Sequence, residues 1–168
     1  NFENIARIDR YKKLNKYAKE QDCNVILTAH HYDDQIETLI MKDATKSDWI
    51  SYIGIRERYK RIVRPMLSIR KKQILLYAES NHLIWFGDNT NNDLSYLRNK
   101  IRYNIENSFY DKKYLKYLLM KHKESIQKMI IFDRYTMKYS EYVYKIKNNA
   151  ILLNKDLNKY FDGVYLKL

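Results

Sequence analysis

Two histidines and three carboxylates crowd into the segment His30-His31-Tyr32-Asp33-Asp34-Gln35-Ile36-Glu37. They follow directly on an apolar run, Val25-Ile26-Leu27-Thr28-Ala29. Such a run reads as a buried strand of parallel type. Ligands of open α/β sheets bind at the carboxyl ends of strands. With Asp33 as the N-cap of a following helix, Asp34 and Glu37 are three apart and share a face. Ile36, Leu39 and Ile40 then turn to the core. Three chemistries are open at this point. The cluster could bind a cationic substrate and move protons. His30, His31, Asp33, Asp34 and Glu37 could hold a metal. Or Asp33 is a plain cap, Glu37 completes a capping arrangement and the histidines fill space.

Two arginine pairs accompany the cluster. Arg7 and Arg10 lie on one face of a helix, and guanidinium forks suit phosphate or carboxylate. A solvated face with a Glu3–Arg7 ion pair accounts for the same spacing. Arg98 and Arg102 stand one helical turn apart as a two-pronged basic site, with Ile101 and Ile105 on a neighbouring face. A turn leading into an amphipathic helix is the plainer account of that segment. Before it, Asp88-Asn89-Thr90-Asn91-Asn92-Asp93 is turn chemistry, and it lacks the spaced glutamate of a calcium loop. The glycines are Gly54, Gly87 and Gly163, no two of them close. A phosphate-cradling loop needs clustered glycines, so that backbone N–H groups converge on the anion. Any nucleotide chemistry must borrow that loop from outside these residues.

The elements that must position these groups follow from periodicity. Residues 3–21 read as a helix, with Ile5, Ile8, Tyr11, Leu14 and Ala18 at three- and four-residue steps. The strand at Val25–Ala29 is followed by the helix from Asp33. Ile62–Arg64 is a short strand stopped by Pro65. Ser68 caps a second amphipathic helix, and Leu83–Phe86 is a further strand. From Leu94 the pattern is helical to about Lys147, and the tail from Ala150 is a hairpin or a docking segment. The order predicts an α/β fold, a parallel sheet with flanking helices, followed by a mostly helical region. The boundary falls near residue 108, giving parts 1–108 and 109–168.

Composition bounds the rest. The 168 residues are 45% apolar, enough for a core, which excludes wholesale disorder. Lys+Arg number 32 against 20 Asp+Glu, a net charge of +12. Lysine supplies 22 of the 32, in a chain also rich in Ile, Asn and Tyr. That skew is what AT-rich codons write, so the arginines are better evidence for anion binding than the lysines. Cys23 stands alone and can make neither an internal disulfide nor a Cys-rich metal site, which fits a reducing compartment. Apolar runs such as Met129–Phe132 fall far below the roughly 18 residues of a membrane span.

Five segments in order resemble the tRNA(Ile)-lysidine synthase family, of the N-type ATP pyrophosphatase (PP-loop) superfamily. They are Asn1–Tyr11 (N-x-E-x-x-A-R-x-x-R-Y), Thr28–Thr38 (T-A-H-H-x-D-D-Q-x-E-T), Arg64-Pro65-Met66-Leu67 with Lys71 to Ile74, Trp85–Asp93 (W-x-x-D-x-T-N-x-D), and Arg98–Arg102 (R-N-x-I-R). The resemblance covers about residues 1–108. Residues 42–51 carry none of the glycine found after that family's E-T motif.

The resemblance implies an ATP-dependent ligase. It adenylates C2 of the wobble cytidine in the CAU anticodon of tRNA(Ile), and free L-lysine then displaces AMP. The implied cofactor is ATP with Mg2+, and the implied partners are that tRNA and lysine. His30, Asp34 and Glu37 are the implied catalytic residues, with Asp34 and Glu37 holding lysine's amino groups and Asp34 or His30 taking a proton. Arg7, Arg10, Asp33, Arg98 and Arg102 are implied on the phosphates of ATP or tRNA. No resident metal ligand is implied. The family's Ser-Gly-Gly-x-Asp-Ser loop would lie upstream of Asn1, so the chain reads as a piece of a longer protein, or of a broken gene, inactive alone. The implied location is bacterial cytoplasm or an organelle stroma or matrix. A tRNA 2-thiolation enzyme would need more cysteines. A metal phosphohydrolase or a non-catalytic tRNA-binding remnant is the alternative.

Overall fold

The computed structural model describes residues 2–87, 93–147 and 150–153, with side chains for 5–87 and 93–135. The chain divides into two compact units, Asn1–Lys123 and Glu124–Leu168.

In the first unit, α1 is Phe2–Glu20, β1 Ile26–Leu27 and α2 Tyr32–Ala44. A 3-10 helix, Trp49–Ile53, leads to β2 (Arg58–Tyr59) and β3 (Ile62–Val63). Then come α3 (Lys71–Ser80), α4 (Leu97–Glu106) and the start of α5 (Lys112–Val143). The core is built on α2. Ile36, Leu39 and Ile40 meet Tyr52, Ile101 of α4 and Leu118 of α5, all buried. These are the α2 positions that the three- and four-residue spacing assigned to the core. Below them Asp43 accepts from Tyr52 Oη at 2.6 Å and from Tyr114 Oη at 2.9 Å. Burial, then the bond to Asp43, pushes both phenol pKa values above their ordinary value.

The sheet departs from expectation. Its order is β1-β3-β2. β1 and β3 are parallel, with Ile26 opposite Ile62, but β2 and β3 are antiparallel. The sheet is therefore mixed rather than parallel. The reason is the connection. Only Lys60 and Arg61 join β2 to β3, with Lys60 at φ 54°, and a two-residue link can join only antiparallel neighbours. The strand expected at Val25–Ala29 shrinks to two residues, of which Ile26 is buried and Leu27 is 68% exposed. Leu83–Phe86 forms no strand, and Ile84 and Phe86 are almost fully exposed. An apolar run becomes a strand only beside a pairing partner, and none stands beside it among the described residues. On α1, Ala18 is buried, while Ile5 and Ile8 of the apolar stripe are exposed.

Capping also differs. Asp33 is not the N-cap of α2; His31 is. Ser68 does not cap α3, which begins at Lys71 after Arg70. The expected loop at 88–92 lies outside the described residues. In the second unit, α5 ends at Val143 rather than continuing to Lys147. β4 (Tyr144–Lys147) pairs antiparallel with β5 (Ala150–Leu153), Tyr144 opposite Leu153. Of the two readings of the tail, its first residues form the hairpin.

Gly54 closes the 3-10 helix at φ 62° and ψ −137°, a conformation that L side chains rarely adopt. A Cβ there would stand 2.7 Å from Gln35 Nε2. Gly54→Ala is therefore expected to cost about 2 kcal/mol, read as a lower urea midpoint in unfolding of the chain.

Candidate functional site

The start of α2 is fixed by a reciprocal cap. His31 N–H donates to Asp34 Oδ2 at 2.9 Å, and Asp34 N–H donates to His31 Nδ1 at 3.4 Å. A capping box is thus present, but it is His31 with Asp34, not Asp33 with Glu37. Asp33 caps a different helix. Its Oδ2 accepts from the Lys71 N–H at 2.7 Å, at the start of α3. Arg70 Nη1 lies 3.6 Å from Asp33 Oδ1 and its guanidinium covers the Tyr32 ring at 4.4 Å. That contact joins α3 to α2.

Asp34 and Glu37 do share a face, and α4 brings Arg98 and Arg102 onto it. Arg98 donates from Nε to Glu37 Oε2 at 2.7 Å and from Nη2 to Asp34 Oδ1 at 3.1 Å. Arg102 donates from Nε to Glu37 Oε1 at 2.8 Å and from Nη2 to Oε2 at 3.3 Å. Glu37 is 1% exposed. Both of its oxygens accept charge-assisted bonds, and the pairing raises the Arg102 pKa above its ordinary value. The implied role of Glu37 as a lysine ligand does not fit a carboxylate so enclosed, and the implied role of Arg102 on phosphate does not fit a guanidinium turned to Glu37.

The open part of the site is a cavity of about 330 Å³ lined by Arg10, Tyr11, Thr28, His30, Asp34 and Arg98, among others. Four elements contribute: α1, the segment after β1, α2 and α4. Of the first arginine pair only Arg10 lines the cavity, while Arg7 leans over the Tyr11 ring at 5.8 Å. His30 Nδ1 is 3.0 Å from Thr28 Oγ1, which fixes the ring plane. Burial pushes the His30 pKa below its ordinary value. Arg64 adds to the effect, Asp34 opposes it, and Arg98 and Arg7 lower it further. The imidazole is therefore held neutral and able to accept a proton. Among the described residues no group of three or more His, Cys, Asp or Glu converges to hold a metal. Of the five residues, His31 and Asp34 cap α2, Asp34 and Glu37 share Arg98, Asp33 accepts from the Lys71 N–H, and His30 meets Thr28.

Three contributors carried no role in the sequence reading. Gln35 is buried inside the motif and bonds across to the Gly54 turn. His122 of α5 meets it there. Arg64, after β3, is buried, donating Nη1 to Arg56 O at 2.6 Å, while its Nε has no partner among the described residues. The signal available for the first was Gly54, the only glycine in the first 86 residues.

Residues 1–109 match the PP-loop domain family. The chain belongs to the PP-loop domain family. Its curated relatives bear out the resemblance drawn from the five motifs. It is similar to the tRNA(Ile)-lysidine synthase of Treponema denticola, 39% identical over 104 residues, which is 62% of this chain and 23% of that protein. The Mycoplasma mycoides tRNA(Ile)-lysidine synthase is 39% identical over 114 residues, 65% of this chain and 28% of that one. The Staphylococcus aureus tRNA(Ile)-lysidine synthase is 32% identical over 187 aligned residues, 96% of this chain and 43% of that one. The chain thus spans less than half the length of these relatives. The PP-loop family has an α/β nucleotide-hydrolase-like fold, and the mixed sheet, whose β1 touches α1, is this chain's share of it.

The His30 environment gives a pH expectation. A histidine whose folded pKa lies below its unfolded value favours the unfolded state once that state takes up its proton. Stability from this source is complete above about 6.5 and falls as pH drops below it. An NMR titration of His30 should show its midpoint below 6.5, and His30→Gln should flatten the loss of stability on the acid side.

Proposed function

We propose that this chain is the lysine- and cytidine-facing part of a tRNA(Ile)-lysidine synthase. The reaction is ATP-dependent ligation of free L-lysine to C2 of the wobble cytidine of CAU-anticodon tRNA(Ile), through an adenylated intermediate. Residues 1–108 are the C-terminal part of the PP-loop catalytic domain, and 109–168 are a mostly helical region that contacts tRNA. The setting is the bacterial cytoplasm. Among the described residues no helix is long and apolar enough to cross a membrane. The observation that supports the reading is the cavity, where the Asp34 carboxylate faces a neutral His30 between Arg10 and Arg98.

The chemistry follows from those groups. The oxygen on cytidine C2 is a poor leaving group, and transfer to it of the AMP moiety makes it a good one. Negative charge on the phosphate is met by Arg10 and Arg98. The lysine arrives as an ammonium and must lose a proton to attack. Asp34 attracts it, and His30 takes the proton through the ring nitrogen not bonded to Thr28. C–N bond formation then expels AMP. Glu37 holds Arg98 and Arg102 in place, and Asp33 holds α3. Arg7 supports Tyr11 at the cavity wall. Mg2+ would enter with the ATP phosphates, neutralising their charge. The glycine-rich loop that cradles those phosphates is not within these 168 residues.

The test uses pyrophosphate release and lysine incorporation by the protein that carries this chain together with its phosphate loop. Asp34→Asn should leave tRNA-dependent pyrophosphate release nearly intact. It should slow lysine incorporation by roughly 10- to 150-fold, the equivalent of one charge-assisted bond of about 1.5–3 kcal/mol. Loss of release with and without lysine would move Asp34 to the ATP half-reaction. A second reading, a non-catalytic tRNA-binding remnant, is favoured by the scattered glycines alone. It predicts tRNA binding with no pyrophosphate release in any form of the protein.

Binding itself is checkable on the 168-residue chain. Affinity for the tRNA should fall by roughly a thousandfold or more between about 50 and 200 mM salt. Arg10→Glu should weaken it more than Lys123→Glu. A flat salt response would assign the net charge to codon usage.

A further inference from the structure

Tyr11 stands on α1 in the wall of the cavity, with Arg10 beside it and Leu14 about one helical turn further on. Its ring is partly buried. Arg7 is not part of that wall, and its guanidinium carbon lies over the ring, 5.8 Å from the centroid. The other elements line the cavity with polar groups, His30, Asp34 and Arg98 among them.

The placement of Tyr11 is unlike that of the tyrosines of the core. Tyr52 and Tyr114 pack against the buried cluster and donate their hydroxyls to Asp43, and Tyr110 stacks on Tyr114. Tyr11 belongs to no core cluster, and among the described residues its hydroxyl has no partner. The packing of α1 therefore does not call for an aromatic ring at this position. What the ring adds is a flat apolar surface in an open cavity.

The three neighbours on α1 match the parts of one nucleotide. Tyr11 and Leu14 offer apolar surface to a base, and Arg10 offers donors to a phosphate. The hydrogen-bonding edge of a base lying flat on Tyr11 is left to the polar groups. At about 330 Å³ the cavity is at the small end of ligand sites, roughly 300–1,000 Å³. It suits a single base drawn out of its stack.

We infer that Tyr11 is a specificity-determining residue, the platform on which a nucleobase stacks in this cavity. The identity of the base rests on the ligase reading. Chemistry at C2 of a cytidine requires the base to leave its stack and to be held by its face and its edge. Unstacked bases of single-stranded loops are held on aromatic side chains in this manner. The base is then the wobble cytosine; the adenine of ATP is the other source of the same chemistry.

The experiment uses the protein that carries this chain together with its phosphate loop. Two RNAs are compared at one fixed salt concentration: an anticodon stem-loop with the CAU anticodon, and the same RNA abasic at the wobble position. ATP affinity is measured without RNA. The wild type should bind the cytidine RNA more tightly by roughly 5- to 150-fold, the range of base–aromatic stacking. Tyr11→Phe should keep that ratio. Tyr11→Leu should bring it within about twofold of unity, with affinity for the abasic RNA and for ATP unchanged. If Tyr11→Leu does not fold, Tyr11→Gln replaces it, a good helix former with no aromatic face. A ratio unchanged in the folded variant, with ATP affinity also unchanged, overturns the platform. So does a ratio lost in Tyr11→Phe, or an equal loss of both RNAs in Tyr11→Leu. An unchanged ratio with ATP binding weakened in Tyr11→Leu and kept in Tyr11→Phe supports the platform and makes adenine its base. The ligase reading is tested by lysine incorporation in the wild type, which none of these binding measurements uses, so each can fail alone.

Discussion

The structure around the site depends on one buried carboxylate. Glu37 is almost wholly removed from water, and an isolated charge in that position would cost many kcal/mol. Two guanidinium groups from α4 make it tolerable, reaching across more than sixty residues of sequence. The arrangement works in both directions. Arg98 and Arg102 occupy both oxygens of Glu37, and Glu37 holds the two guanidinium groups on one line. With Asp34 included, two carboxylates face two guanidiniums, so the quartet is close to neutral. Its edge, Asp34 with the outer part of Arg98, lines the cavity. What the cavity exposes is thus the margin of a structural ion-pair network. A pair enclosed in this way contributes little net stability, but removing one partner is costly. Its value here is that it fixes which residues of α4 stand over α2.

The same helix is held at its other positions by different physics. Ile36, Leu39 and Ile40 bury apolar surface against α4, α5 and Tyr52. Asp43, near the end of α2, takes two phenol hydrogens and sits by Lys121, whose ammonium lies 4.6 Å over the Tyr52 ring and 4.7 Å over the Tyr117 ring. Gln35 closes the near end against Gly54. α2 is thereby restrained by ion pairs, by packing and by neutral hydrogen bonds, each at its own positions along the helix. Rotating it to satisfy one set would break another. A helix so restrained holds Asp34 at one defined place on the cavity wall.

What was legible in the sequence follows from the range of each interaction. The existence of α2, its core stripe and the shared face of Asp34 and Glu37 are local consequences of a 3.6-residue period. α1, α3, α4 and most of α5 were legible for the same reason. The mixed sheet was not, because the direction of β2 is set by the Lys60–Arg61 turn and not by any apolar pattern. The expected strand at Leu83–Phe86 had the right composition and no partner beside it among the described residues. At the site, the structure brings Asp34, Glu37, Arg98 and Arg102 together, with contacts the motif does not announce. Asp33 reads as the cap of the helix it opens, yet its oxygen is taken by the N–H of Lys71, on another helix. Glu37 reads as a ligand for a cation and does bind cations, but they are the chain's own arginines. Nothing in residues 30–38 announces that, since the partners lie at 98 and 102.

The arginines and lysines separate once their surroundings are known. Arg102 is turned to Glu37, Arg98 pairs with Glu37 and Asp34 and lines the cavity together with Arg10, and Arg64 is buried with one N–H on Arg56 O. The lysines of α1 offer a contrast. Lys13 and Lys16 are nearly four-fifths exposed and pair with Asp9 and Glu20 along the helix, contacts that water and salt largely screen. Codon usage can add lysines of that kind at little cost, because a solvated ammonium tolerates almost any helical position. It cannot as readily add a buried guanidinium, which must find acceptors in a fixed fork geometry or destabilise the fold. The net charge therefore has two origins. A diffuse lysine field attracts any polyanion at long range and is screened by salt, whereas the arginines, each placed by specific acceptors, define the short-range geometry.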